Sequence, residues 1–194
     1  MDISTDTVKA LRDKTGVSVM QCRKALEEAN GDVAQAEVIL RKKSGAAADK
    51  KADRELGAGA IGMYVHDNAI GAMVLLSCET DFVSKNEEFV ALAREIAMQV
   101  AATNPTYLGT DEIAEDAKDA ALAVFQKEVE GKPEDMKAQI LDGKLKSYFK
   151  DQVLLEQAYI KDEAKSIKDL ITEATQKFGE RIEVTKMARF SARG

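Results

Sequence analysis

Two apolar alternations flanking a short polar turn constrain the fold of this chain more than any other feature. Ile61, Met63 and Val65 alternate with Gly62 and Tyr64; after His66-Asp67-Asn68, alternation resumes with Ile70, Ala72, Val74 and Leu76. Period-two patterning about such a turn predicts a β-hairpin. The apolar run Ala69 to Leu76 stops abruptly at Ser77. Beyond Ser84, Phe89, Leu92, Ala93, Ile96, Ala97, Val100 and Ala101 form one helical stripe, ended by Asn104-Pro105. Ser84-Lys85-Asn86-Glu87 reads as the capping box of that helix. Between hairpin and helix lies Asp81-Phe82, an acid beside a large aromatic, in an expected strand-to-helix loop. Binding residues concentrate on loops held by a rigid scaffold. Phe is also generally buried, so these residues alone leave Phe82 open to a core role or an exposed one.

The N-terminal segment predicts a compact helical unit. Ser4 caps a first helix, with Ile3 and Val8 as a hydrophobic staple, Val8 and Leu11 facing inward, and Gly16 at the end. Ser18-Val19-Met20-Gln21 is a capping box flanked by Val17 and Cys22, and Val19, Cys22, Leu26 and Ala29 follow at helical spacing. Asn30-Gly31 stops this second helix. Asp32 caps a third, with Val33, Ala36, Ile39 and Leu40 inside and Arg41-Lys42-Lys43 suiting its C-terminal dipole. Three short helices with tight turns resemble the ubiquitin-associated (UBA) fold.

Beyond the hairpin and its helix, an Ala-rich helix is expected around 111–130, and another from Pro133 to about Leu141. Residues 143–163 give no clear pattern. Ser166 caps a late helix with Ile167, Leu170, Ile171, Ala174 and Phe178 inside, stopped by Gly179; Ile182, Val184, Lys186, Ala188 and Phe190 form a closing strand. The expected organisation is a three-helix UBA-like domain over 1–43, a linker over 44–57, and a core domain over 58–194. The fold class is α+β, with the core a small antiparallel sheet packed with helices.

Composition narrows the function. The chain has 194 residues, a net charge of −6 and no run of 18 apolar residues. Neither its N-terminal part nor the remainder has the basic balance of a nucleic-acid binder, and no membrane span is expected. Cys22 and Cys78 form no disulfide framework, which suits a reducing cytoplasm. Gly57-Ala58-Gly59-Ala60-Ile61-Gly62 matches a dinucleotide-binding pattern, but a charged linker precedes it and a strand follows, so the context is wrong. His66 is the single histidine, in a turn, too little for a three-ligand metal site. Both cysteines read as small core residues. Glu79 and Asp81, alternating on an extended segment, would point to opposite sides. No cofactor is expected, nor catalysis by the chain's own groups.

Several separate blocks resemble the translation elongation factor Ts family. They are Thr15 to Leu26, Ser77 to Phe89 around Thr80-Asp81-Phe82-Val83, Ile96 to Ala102 with Asn104-Pro105, Gly143-Lys144-Leu145-Lys146 with Leu154-Leu155-Glu156-Gln157 and Ile160-Lys161-Asp162, and the strand to Phe190. The chain looks like the short form, with one core unit. The resemblance implies a guanine nucleotide exchange factor acting on the GTPase elongation factor Tu. It implies that Thr80, Asp81, Phe82 and Val83 dislodge the support of the GTPase's Mg²⁺, with further partner contacts at Leu11, Val17, Met20 and Gln99. Gln99 stands where the family often has a partner-touching His, and a Gln cannot be charged. A homodimer is expected, because a single-unit core leaves a small sheet with edges or a face to protect. The competing reading is a UBA-type adaptor that binds a ubiquitin-like partner.

Overall fold

The computed structural model describes residues 3–129 and 133–193. Its fold is α+β, and the chain packs as two compact units. The first holds residues up to Ile61, Leu75–Leu92 and Asp169–Glu183; the second holds Gly62–Val74, Ala93–Lys168 and the chain from Val184.

The first unit begins with three mutually packed helices, α1 (Thr5–Thr15), α2 (Val19–Glu28) and α3 (Val33–Asp49). Each start is capped as the sequence requires. Ser4 Oγ accepts from the Thr7 amide at 3.1 Å, Ser18 Oγ from Gln21 at 3.4 Å and Asp32 Oδ1 from Gln35 at 3.0 Å. Gly16, at φ 68°, turns left-handed to end α1 and donates its amide to the Arg12 carbonyl at 2.7 Å. Val8, Leu11, Val17, Cys22, Ala25, Leu26, Ala29, Ala36 and Leu40 form the core of this bundle. Two expected inward residues are not inside: Val19 is 49% exposed and Val33 38%. Each is the first residue of its helix, and burial starts one turn later. α3 also runs to Asp49, into the stretch expected as linker. Ser44 carries it onward: it is 1% exposed, donates to the Leu40 carbonyl at 2.9 Å and bonds Gln176 of the same unit.

The predicted hairpin is present as β1 (Ala58–His66) and β2 (Ile70–Cys78), in a three-stranded antiparallel sheet of order β1-β2-β5 with β5 (Glu183–Ser191). Its turn places Asp67 at φ 49° and Asn68 at φ 54°, with the Ala69 amide on the His66 carbonyl at 2.9 Å. Two consecutive positive φ values give the twist a tight hairpin needs, and Asp and Asn tolerate them best after Gly. α4 (Asp81–Ser84) is a single helical turn following β2, and α5 (Glu87–Thr103) follows it. The cap of α5 is Asn86 rather than Ser84: Asn86 Oδ1 accepts from the Glu88 amide at 2.9 Å, while Ser84 Oγ turns back to the Asp81 carbonyl at 3.2 Å.

In the second unit β1 lies directly on α5. A Cβ on Gly62 would stand 2.0 Å from the Ala93 carbonyl oxygen, so only glycine fits. Helices α6 (Glu115–Glu128) and α7 (Glu134–Lys150) pack on each other. Ile113, Ala121, Phe149 and Val153 are buried there, beside Tyr107, Phe125 and Leu145. α7 does not stop near Leu141. Gly143 faces open space, and Leu145 and Phe149 carry the apolar stripe into this cluster. The unpatterned stretch resolves into the end of α7 and a small hairpin, β3 (Ala158–Tyr159) with β4 (Asp162–Ser166), before α8 (Ile167–Phe178). Among the described residues no helix is long and apolar enough to cross a membrane.

Gly62→Ala is expected to destabilise the protein by about 1–3 kcal/mol, because the added methyl must push β1 off the α5 backbone. Urea unfolding followed by circular dichroism measures it; an unchanged midpoint would mean that the strand and helix are free to separate there.

Candidate partner-binding site

The turn after β2 is built to hold one side chain in and its neighbour out. Thr80 precedes α4 with extended backbone (φ −127°, ψ 157°), and its carbonyl accepts from the Ser84 amide at 3.2 Å. In a helical turn successive side chains point about 100° apart. Val83 is therefore 4% exposed beneath the turn, while Phe82 is 83% exposed above it. The exposed alternative for Phe82 is the one the structure realises. Asp81 does not lie on an extended segment opposite Glu79; it opens the helix. Its carboxylate accepts from Lys85 Nζ at 2.6 Å, one helical turn on, and this bond is the main reason its pKa lies below the ordinary Asp value.

A network within the first unit pins this turn. Glu180 Oε2 accepts from the amides of Glu79 at 3.1 Å and Thr80 at 3.0 Å, and Oε1 accepts from the Thr80 hydroxyl at 2.5 Å. In return, Glu79 Oε1 accepts from the Arg181 amide at 2.6 Å. Arg54 pairs with Glu79 at 3.2 Å, and the Arg181 guanidinium reaches Glu183 and the Arg54 carbonyl. The Arg181 amide holds the Glu79 carboxyl below its ordinary pKa; partial burial opposes this, and Arg54 reinforces it. Cys78 Sγ donates to the Thr80 carbonyl at 3.2 Å, and burial pushes its thiol pKa up, away from a reactive thiolate. Glu180, Arg181 and Arg54 were not candidates from sequence. Glu180 lies 100 residues from Thr80, and its only local signal is the helix-stopping Gly179 before it.

The other expected contact residues are distributed differently. Met20 is 64% exposed at the start of α2. Leu11 and Val17 belong to the three-helix core, and Gln99 is wholly buried in the second unit. Gln99 Nε2 donates to Gln157 Oε1 at 3.0 Å and the Ala158 carbonyl at 3.1 Å, and its Oε1 accepts from the Ile160 amide at 2.9 Å. Both hydrogens of its Nε2 and its Oε1 are thus engaged within this turn. Among the described residues no three His, Cys, Asp or Glu side chains gather into a metal-binding group.

Comparison with known proteins identifies the class. Residues 47–193 match the family model described as Elongation factor TS. The chain is 46% identical to elongation factor Ts of Thermodesulfovibrio yellowstonii over 191 residues, covering 98% of this chain and 96% of that protein. It is 44% identical to elongation factor Ts of Thermosipho melanesiensis, with 97% and 98% covered, and 43% identical to that of Thermotoga maritima, with 98% and 96% covered. These matches place it among the elongation factors of protein biosynthesis. The chain belongs to the elongation factor Ts family.

The depressed pKa of Glu79 sets an acid limit. Its contribution to stability is fully present above the unfolded Glu value of about 4.3 and is lost as pH falls through the lower folded value. Stability measured by urea unfolding between about pH 3 and 6 should therefore fall less steeply in Glu79→Gln than in the parent. Identical slopes would place the acid sensitivity elsewhere.

Proposed function

We propose that this chain is a guanine nucleotide exchange factor that binds elongation factor Tu and promotes GDP release during polypeptide elongation in the cytoplasm. The observation that carries the reading is Phe82: a large aromatic, 83% exposed, on a turn anchored through the Thr80 amide and hydroxyl to Glu180, in a chain of this family. A GTPase holds GDP through backbone amides around the phosphates and through Mg²⁺, the largest local charge. An exchange factor needs no reaction chemistry. It binds most tightly the state in which that geometry is disturbed, and by linkage it weakens GDP by the factor by which GDP weakens it.

In this reading Phe82 is the wedge that enters between elements of the GTPase and shifts the support of Mg²⁺. Asp81 supplies an adjacent hydrogen-bonding carboxylate, Val83 anchors the turn from below, and Thr80 joins it to the scaffold. Met20 adds a contact from the helical unit. Leu11, Val17 and Gln99 act indirectly, through the shape of the elements they pack.

We also infer a homodimer. Met63, Val65, Met73 and Phe190 of the second unit are 59%, 63%, 43% and 72% exposed on strands of the three-stranded sheet. A two-fold, self-complementary contact would cover such apolar side chains.

Phe82→Ala should fold normally and slow stimulated release of fluorescent GDP from elongation factor Tu about ten- to hundredfold, the loss of an aromatic contact worth about 1.4–2.8 kcal/mol. Parental rates from the folded variant would refute the wedge. Val65→Asp should convert the parent's dimer to a 21.1 kDa monomer in sedimentation equilibrium with dithiothreitol present. A parent that already sediments as that monomer would refute the dimer.

A further inference from the structure

We propose that Glu180 is a positioning residue for partner recognition, fixing the Asp81-Phe82 turn in its binding-competent shape before any partner arrives. The proposal rests on the exchange-factor reading above and assigns a role to a residue remote in sequence from the turn. α4 spans only Asp81–Ser84, too short to persist alone, since a first helical turn is an unfavourable nucleus. Its N-cap Thr80 makes no side-chain bond to the helix. The hydroxyl that would normally cap α4 is instead donated to Glu180 Oε1, while Oε2 takes the Glu79 and Thr80 amides. The Thr80 carbonyl is held as well, by Cys78 Sγ and the Ser84 amide. All three polar groups of Thr80 are thus engaged, two of them by one carboxylate.

The carboxylate is delivered by the end of α8. Gly179, at φ 75°, stops the helix left-handed, and Glu180 follows immediately. The Arg181 amide then bonds back to Glu79, so the two segments exchange carboxylate-to-amide bonds in both directions. Charge-assisted bonds of this kind are stronger than neutral ones. Without Glu180 the turn would sample several shapes, and only a fraction would present Phe82 correctly. The apparent affinity for the partner then falls by that fraction, while the complex, once formed, still reaches the same geometry. Removing Phe82 itself has the opposite signature, a lower maximal rate.

The test uses full-length Glu180→Gln and Glu180→Ala. GDP release from elongation factor Tu is titrated against each chain, and amide hydrogen exchange is followed over residues 79–85. Glu180→Ala should raise the half-saturating concentration about tenfold and Glu180→Gln about threefold, with the maximal rate within about twofold of the parent. Amides of Glu79 and Thr80 should exchange faster while those of α1 to α3 keep their protection. Adding Thr80→Val to Glu180→Ala should change nothing further, because its hydroxyl acts through that carboxylate. Unchanged half-saturation, a fall confined to maximal rate, or protection lost throughout the chain would each overturn the proposal. If the parent itself releases no GDP, the exchange-factor reading fails instead; hydrogen exchange then still decides whether Glu180 holds the turn.

Discussion

Two carboxylates hold the turn on which the candidate site depends: Glu180 accepts from the Glu79 and Thr80 amides, and Glu79 accepts from the Arg181 amide. Segments a hundred residues apart thereby behave as one rigid piece. The Glu79 and Thr80 amides, just ahead of a short helix, would otherwise need water, and a solvated turn has no single shape. Arg54 and Arg181 balance the charge. The cluster is only partly buried, which limits its contribution to global stability but not its local effect: it selects one conformation of a turn that has little helical stability of its own.

Against that rigid base, the exposure of Phe82 gains meaning. The chain has six phenylalanines and no tryptophan. Phe89 and Phe149 are buried, Phe89 packs edge-on against Phe178, and Phe125 is half-buried against the α6–α7 cluster. Phe82 and Phe190 remain almost bare. In a chain so short of aromatics, two left in water mark surfaces that an association would cover, since an aromatic side chain carries about 150–250 Å² of burial. Both project from elements whose backbone is fixed, one from a pinned turn and one from a strand. A rigid apolar side chain loses little entropy on binding.

Gln99 shows the opposite allocation. A polar side chain in the middle of an apolar helical stripe costs free energy unless every group is bonded. Gln157, the Ala158 carbonyl and the Ile160 amide satisfy it, and Thr103 joins through Gln157. That network fixes the chain where it leaves α7 and enters the β3–β4 hairpin. The residue works as a clamp for a segment with no strong pattern of its own.

The sequence by itself determined the elements whose signals are local. Caps at Ser4, Ser18 and Asp32, the turn at Asp67-Asn68, the alternation through Leu76 and the stop at Gly179 each depend on chemistry within a few residues, so they were legible without the fold. It also marked Asp81-Phe82 as a feature of interest, but not which way Phe82 faces: the residue types allow either, and the single helical turn of α4 decides it. Burial of Gln99 and exposure of Val19 were likewise matters for tertiary packing, because helical spacing names a face and not where its coverage ends. α7 continues past Gly143 because Phe149 has a cluster to reach. The clamp from Glu180 to Thr80 carried no local signature, since a carboxylate acquires its partners only when the fold brings two distant segments within 3.1 Å.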